Sequence, residues 1–251
     1  MTAWYEESFG RDYLALYPHR DCEEAVADIG AIVDLLAPPR DEPLLDLCCG
    51  AGRHLQALHR LGFSRLTGID LSQPLLDVAR RELDSVGARD IRLMLSDMRE
   101  IPFREAFETV ISLFTSFGYF TDSAEDERVL LAVFGALRPG GAFLMDTLNR
   151  ERTIIDLVPH SEKTVNGLTV DITRRVTPDG LRVEKETRIV SEPSTQRVYR
   201  ESVRMYSSDE LRLMLEQSGF VDIRFHGSVD GRPYCDESPR MVATARRPTA
   251  T

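Results

Sequence analysis

Leu44-Leu45-Asp46-Leu47-Cys48-Cys49-Gly50-Ala51-Gly52-Arg53 carries an apolar run into an acidic residue and then into two glycines at alternate positions. Twenty residues beyond Gly50, a second apolar run, Leu66-Thr67-Gly68-Ile69-Asp70, ends in a carboxylate. The pattern predicts a strand, a glycine turn opening a helix, and a second strand with an acid at its tip. Such an arrangement suits a nucleoside site in an open α/β sheet. Glycine lets ligand atoms approach the backbone, and a carboxylate past the second strand can accept from ribose hydroxyls.

A dinucleotide is the weaker fit. Its fingerprint, G-x-G-x-x-G, needs a third glycine where Leu55 stands. A pyrophosphate also prefers bare helix N-terminal amides, whereas Asp46 stands at the mouth of this loop and suits a ligand that carries an ammonium group. The segment resembles motif I of the class I S-adenosylmethionine-dependent methyltransferases, an acid followed by glycines at alternate positions. It departs from that motif at Cys48, which occupies the first glycine position.

The wider chain fits an α/β enzyme. It has 251 residues, 42% hydrophobic and 29% charged, with a formal net charge of −10. A soluble globular protein has that composition. The negative balance disfavours duplex nucleic acid as a partner, since phosphate neutralisation dominates such binding. No apolar run reaches the ~20 residues of a membrane span, and Met1 to Glu7 has neither the basic region nor the apolar core of a secretory signal. Cys22, Cys48, Cys49 and Cys235 form no CxxC pair. They are expected to be reduced packing residues in a cytoplasmic protein, with Cys48 and Cys49 pointing opposite ways along a strand. His19, His54, His59, His160 and His226 show no metal-ligand spacing, and no G-x-S-x-G or phosphate-loop motif occurs.

Periodicity organises the rest. A helical stripe runs from Glu23 to Leu36 and breaks at Pro38-Pro39. Ser72-Gln73-Pro74 opens a helix with serine as its cap. Ile91–Leu95, Phe107–Phe114 and Ala142–Asp146 read as strands three to five, with a helix over Ser123–Leu137. Strands alternating with helices of this length predict a Rossmann-like, seven-stranded, mostly parallel sheet with helices on both faces. Between Gly167 and Met205 the period changes to two, which predicts three antiparallel strands. Ser207-Ser208-Asp209-Glu210 then starts a capped helix, and Val221–Phe225 and Arg240–Ala245 complete the sheet. The chain is read as one domain over 1–251, with a helical N-terminal cap at 1–40 and a β insertion at 163–206. Nine basic against seven acidic residues over 162–204 suggest that the insertion shapes acceptor specificity or a homodimer contact and leaves cofactor binding alone.

The resemblance implies S-adenosyl-L-methionine as cofactor and methyl transfer to a small-molecule acceptor, through N- or O-nucleophiles. Among the class I methyltransferases the chain resembles the bacterial deoxyamino-sugar N-methyltransferases. The implied cofactor residues are Tyr13, Asp46, Cys48, Gly50, Gly52, Asp70, Leu71, Asp97, Met98 and Leu113, with Asp70 on the ribose and Asp97 and Met98 on the adenine. Tyr17, His19 and Tyr119 are candidates to orient or deprotonate the acceptor. In the aromatic segment Leu113 to Phe120, Phe114 is expected in the core, and Thr115, Ser116 and Tyr119 on a pocket. Tyr234 is the expected acceptor contact near the C-terminus. A nicotinamide-dependent oxidoreductase is the alternative enzyme, but it would want a third glycine and a Tyr-x-x-x-Lys pair, and neither is present. A non-catalytic cofactor-binding partner protein is the alternative outside enzymes.

Overall fold

The computed structural model describes residues 4–8, 22–192 and 195–249. The glycine turn lies between β1 (Leu44–Leu47) and α3 (Arg53–Arg60). Before it come α1 (Trp4–Ser8) and α2 (Cys22–Leu36). After it, β2 (Leu66–Asp70), α4 (Gln73–Ser85), β3 (Arg92–Leu95), β4 (Phe107–Ser112), α5 (Ser123–Ala136) and β5 (Leu137–Thr147) alternate as expected. The short α6 (Arg150–Ile155) leads into the insertion, and α7 (Ser208–Gln217), β10 (Val221–His226) and β11 (Met241–Arg246) follow it.

Seven strands form one sheet in the order β10-β11-β5-β4-β1-β2-β3. β1 pairs in parallel with both β2 and β4, and β4 pairs in parallel with β5, while β11 runs antiparallel to β5 and to β10. Strand order therefore reverses at β1, and ligands in open α/β sheets bind beyond the strand C-termini at that reversal.

Strand alternation sorts the core into two layers. Leu45, Leu47, Val110, Phe143 and Met145 pack with α5 and α7 on one face. Leu44, Ile111, Leu144 and Val242 pack with α2, α3 and α4 on the other. Each such buried side chain contributes roughly 1.5–3 kcal/mol, so the sheet is held from both sides. Gly68 in β2 fits because nothing larger would: an added Cβ would lie 2.6 Å from Leu55 and 2.7 Å from the Cys49 sulfur.

Local signals hold well. Ser72 Oγ accepts from the Leu75 amide at 3.3 Å, and Ser207 with Glu210 forms a reciprocal capping box on α7. Four expectations change. β1 ends at Leu47, so Cys48 and Cys49 belong to the turn and not to a strand. β4 stops at Ser112, because Phe114 and Thr115 both take left-handed conformations, φ 58° and 61°. β5 starts at Leu137, through the Pro139-Gly140-Gly141 turn expected to precede it. The insertion has four strands and starts at His160: β6 (His160–Val165), β7 (Leu168–Val176), β8 (Arg182–Glu192) and β9 (Thr195–Arg204) form an antiparallel sheet in sequence order. The extra strand, His-Ser-Glu-Lys-Thr-Val, has one apolar residue in six. It pairs through its backbone, which leaves little hydrophobic periodicity to read.

Candidate active site

The turn after β1 is left-handed at Cys48, Gly50 and Gly52, with φ of 63°, 53° and 79°. Alternate left-handed residues explain why this motif favours glycine at alternate positions. Cys48 accepts a conformation that costs a residue with a Cβ on the order of 1–2 kcal/mol. The Gly50 amide donates to Asp70 Oδ2 and the Ser72 amide to Asp70 Oδ1, each at 2.8 Å. The carboxylate at the end of β2 thus ties the glycine turn to the start of α4. Asp70 is buried, and burial raises its pKa while the amide bonds of Ser72 and Gly50 oppose the rise.

A cleft of about 240 Å³ opens here. Cys48, Gly50, Asp70, Leu71, Asp97, Met98, Leu113 and Tyr119 line it, all of them expected at the site. Gly52 and Asp46 are not on its wall. Gly52 backs onto α4, where an added Cβ would stand 3.0 Å from Ala79 Cβ, so its role is close packing of the turn. Asp46 is only 1% exposed, and its Oδ2 has no hydrogen-bond partner. Burial, and then the nearby Asp70, push its pKa up to about 8. Tyr13, Tyr17 and His19 lie outside the described residues. Tyr5 of α1 lines the cleft instead, a contact signalled only by the aromatic pair Trp4-Tyr5 near the chain start.

Asp97 is clamped by Arg99, whose backbone amide and Nε reach Oδ1 at 2.8 and 3.0 Å and whose Nη2 reaches Oδ2 at 2.6 Å. Burial works against the charged carboxylate, but Arg99 outweighs it and the Asp97 pKa falls below its ordinary value. Arg99 also bonds Glu125 and lies 4.4 Å from the Phe120 ring centroid. Asp97 therefore stands as an ionised acceptor on the cleft wall.

The segment after β4 divides this cleft from a second one. Phe114 lines both, with the Arg53 guanidinium 3.9 Å from its ring centroid and the His54 ring stacked at 5.6 Å. Phe114 is half-buried and packs against the core layer of α2, α3 and α4, so the core placement expected for it holds in part, while Phe117 is buried in the opposite layer. The left-handed pair at Phe114 and Thr115 ends the strand and leaves the Phe114 ring on the wall of both clefts. Asp146 holds that turn: Oδ2 accepts from the Phe114 amide at 3.0 Å, and its backbone carbonyl accepts from Thr115 at 3.0 Å. Arg240 completes the clamp, at 2.7 Å from both Asp146 Oδ1 and Thr115 Oγ1.

The second cleft, about 670 Å³, lies between this segment, α6 and the insertion. Thr115 and Tyr119 face it as expected, beside Asp156, Val158, Arg174, Lys185, Glu201 and Arg240. Ser116 stays on the first cleft, its hydroxyl donating to the Leu113 carbonyl at 2.9 Å. Tyr234 lines neither cleft. Its hydroxyl donates to Asn149 Oδ1 at 3.2 Å and so braces the start of α6. Among the described residues no group of His, Cys, Asp and Glu could hold a metal ion, no helix is long and apolar enough to cross a membrane, and Cys48, Cys49 and Cys235 are free thiols.

S-adenosylmethionine fits the first cleft on three observations. Asp70 accepts from the Gly50 and Ser72 amides on different oxygens, and the roughly four acceptor sites of a carboxylate leave capacity for a vicinal diol. Beside Gly50 an added Cβ would meet nothing nearer than Leu75 Cδ1 at 4.0 Å, so the backbone can be approached. Behind the turn Asp46 keeps an unpartnered carboxylate oxygen.

Comparison with known proteins agrees. Residues 44–141 match the family model of a methyltransferase domain. The chain is 28% identical over 196 residues to the dTDP-3-amino-3,4,6-trideoxy-α-D-glucopyranose N,N-dimethyltransferase of Streptomyces venezuelae, covering 77% of this chain and 75% of that protein. It is 26% identical over 225 residues to a cypemycin N-terminal methyltransferase from Streptomyces, covering 88% and 89%. An amino pentose methyltransferase from Micromonospora echinaspora, solved with S-adenosylmethionine bound, superposes with a TM-score of 0.69 at 26% identity, covering 94% of this chain and 97% of that one. None of these relatives supports the nicotinamide reading or a non-catalytic one. With its strand order, its acid-tipped β2 and these relatives, the protein is an S-adenosylmethionine-dependent methyltransferase with a methyltransferase domain matched over residues 44–141.

Proposed function

We propose that the protein methylates a nitrogen on a small polar acceptor seated in the second cleft. The observation that carries this reading is the shared wall: Phe114 and Tyr119 line both clefts, so a cofactor in one and an acceptor in the other would meet there. S-adenosylmethionine, when bound, supplies a methyl group already activated by its sulfonium. The chain then needs chiefly to align a nucleophile and exclude water.

In this reading Asp70 takes the ribose hydroxyls, Asp97 and Met98 take the adenine edge, and Asp46 takes the ammonium end of the cofactor from behind the turn. Cys48, Gly50, Leu71 and Leu113 shape the wall, with Tyr13 a further candidate cofactor contact. Tyr119, at the junction, orients the acceptor, with Tyr17 and His19 as further candidates. The second cleft mixes Arg174, Lys185, Glu201 and Asp156 with Val158, Val183 and Val203. Such a lining suits a molecule with hydroxyl or charged groups on a compact skeleton. The relatives that act on amino sugars and on a peptide N-terminus favour nitrogen over oxygen. The reading includes a cytoplasmic site of action, in keeping with the free thiols.

The test is a screen for S-adenosylhomocysteine release, with primary and secondary amines set against matched alcohols, phenols and carboxylates. Turnover confined to amines supports the reading. Turnover confined to oxygen nucleophiles overturns it.

A further inference from the structure

Residues 118–120 lie between β4 and α5 and belong to no strand or helix, so their carbonyls have no ladder to join. One side chain of the insertion supplies much of what is missing. Arg182, the first residue of β8, donates from Nη1 to the Phe120 carbonyl at 3.0 Å and from Nη2 to the Gly118 and Tyr119 carbonyls at 3.2 and 3.5 Å. Ser202 of β9 fixes the same guanidinium, its Oγ at 2.9 Å and its carbonyl at 2.8 Å. Two further contacts lock the junction. The Arg204 amide donates to the Gly118 carbonyl at 2.7 Å, and a Cβ at position 118 would lie 2.5 Å from the Arg204 carbonyl oxygen, so only glycine admits β9 this closely.

The carbonyls held in this way belong to residues whose side chains form the cofactor cleft. Tyr119 and Phe120 line it, and Phe120 lies beneath the Arg99 guanidinium that clamps Asp97. A continuous line of contacts therefore runs from the insertion through Arg182 and Phe120 to Arg99 and Asp97. A planar guanidinium can serve several acceptors in fixed directions at once, whereas an ammonium is a point donor on a flexible stem.

We propose that Arg182 is a positioning residue for the cofactor cleft, so that the insertion sets cofactor affinity as well as bordering the acceptor chamber. This revises the expectation that the insertion leaves cofactor binding alone. Cofactor binding in the first cleft is independent of which acceptor the second one takes.

Trp4 provides a direct readout. It is the sole tryptophan of the chain, its Nε1 donates to the Tyr119 carbonyl at 3.3 Å, and its ring meets the Tyr119 ring edge-on at 5.0 Å. The experiment compares the parent protein, Arg182→Ala, Arg182→Lys and the control Arg175→Ala, whose native guanidinium pairs with Glu184. S-adenosylhomocysteine is the probe, its affinity read by calorimetry, with Trp4 emission and Tm recorded without ligand. The expected result is a Kd at least tenfold higher for Arg182→Ala, with a red-shifted Trp4 emission. Arg182→Lys should fall between that variant and the parent, and Arg175→Ala should stay within twofold of the parent. A role confined to stability would lower Tm and leave the Kd and emission of the folded protein unchanged, and that result overturns the proposal. If Arg182→Ala does not fold, Arg182→Lys decides: a Kd raised threefold or more supports the proposal, and an unchanged Kd overturns it.

Discussion

Asp146 Oδ2 accepts the Phe114 amide at 3.0 Å, so a carboxylate on one strand holds the left-handed turn that follows its neighbour. Two consecutive non-glycine residues with φ near 60° cost on the order of 1–3 kcal/mol each and persist only where the surroundings over-determine them. Arg240, bonded to both Asp146 and Thr115, adds the second restraint.

Removing that hold should release the turn. Asp146→Ala loses two charge-assisted bonds at a buried position and leaves Arg240 short of its carboxylate. Roughly 3 kcal/mol of stability should be lost, and S-adenosylhomocysteine should bind more weakly as Phe114 leaves the wall. Urea unfolding and calorimetry check both. A loss below about 1 kcal/mol would mean that the turn holds its shape unaided.

Asp70→Ala separates cofactor binding from capping. In the proposed reading the ribose then loses its acceptors, and affinity for S-adenosylhomocysteine should fall at least tenfold, since each charge-assisted bond contributes ~1.5–3 kcal/mol. The Gly50 and Ser72 amides also lose their partner, so Tm should drop as well. An unchanged Kd in folded protein would reduce Asp70 to a link between two loops.

Asp46 predicts a pH dependence with a definite sign. Its folded pKa, about 8, stands above the ordinary carboxylate value, because burial and then Asp70 disfavour the charge. The folded state therefore binds this proton more tightly than the unfolded chain does. The contribution to stability is full below about pH 4 and declines as pH rises through 8, by up to ~1.4 kcal/mol per unit for one group. Asp46→Asn, which keeps a neutral side chain there, should flatten the decline between pH 5 and 8 in urea unfolding of the ligand-free protein. Parallel profiles for variant and parent would show that Asp46 does not titrate in this range.

Tyr206 supports a second buried acid. Its hydroxyl donates to Asp126 Oδ2 at 2.7 Å, while Asp126 Oδ1 has no partner and burial pushes the Asp126 pKa up to about 6. Tyr206→Phe leaves that carboxylate without its hydroxyl and should cost about 1–3 kcal/mol. The loss should be larger at pH 8, where Asp126 is ionised, than at pH 5. Equal losses at both pH values would mean that the bond does not discriminate between the two forms of the acid.

What was legible in the sequence is what neighbouring residues decide among themselves. Asp46, Gly50 and Asp70 announced a strand, a glycine turn and an acid-tipped strand, because backbone conformation and strand period are local properties. The caps at Ser72 and Ser207 were readable for the same reason: each serine meets an amide three residues on. What only the tertiary structure decided lies where partners are far apart in the chain. Phe114 came to the wall of both clefts while still packing on the core because Asp146, thirty-two residues away, stabilises a turn that no local propensity favours. Tyr234 proved to be a brace on Asn149, and Arg182 reached the 118–120 carbonyls across more than sixty residues. An arginine in an alternating strand shows which face it takes but not which unladdered backbone it will meet. That choice belongs to the packing of the insertion against the loop after β4, where Tyr119 lines both clefts.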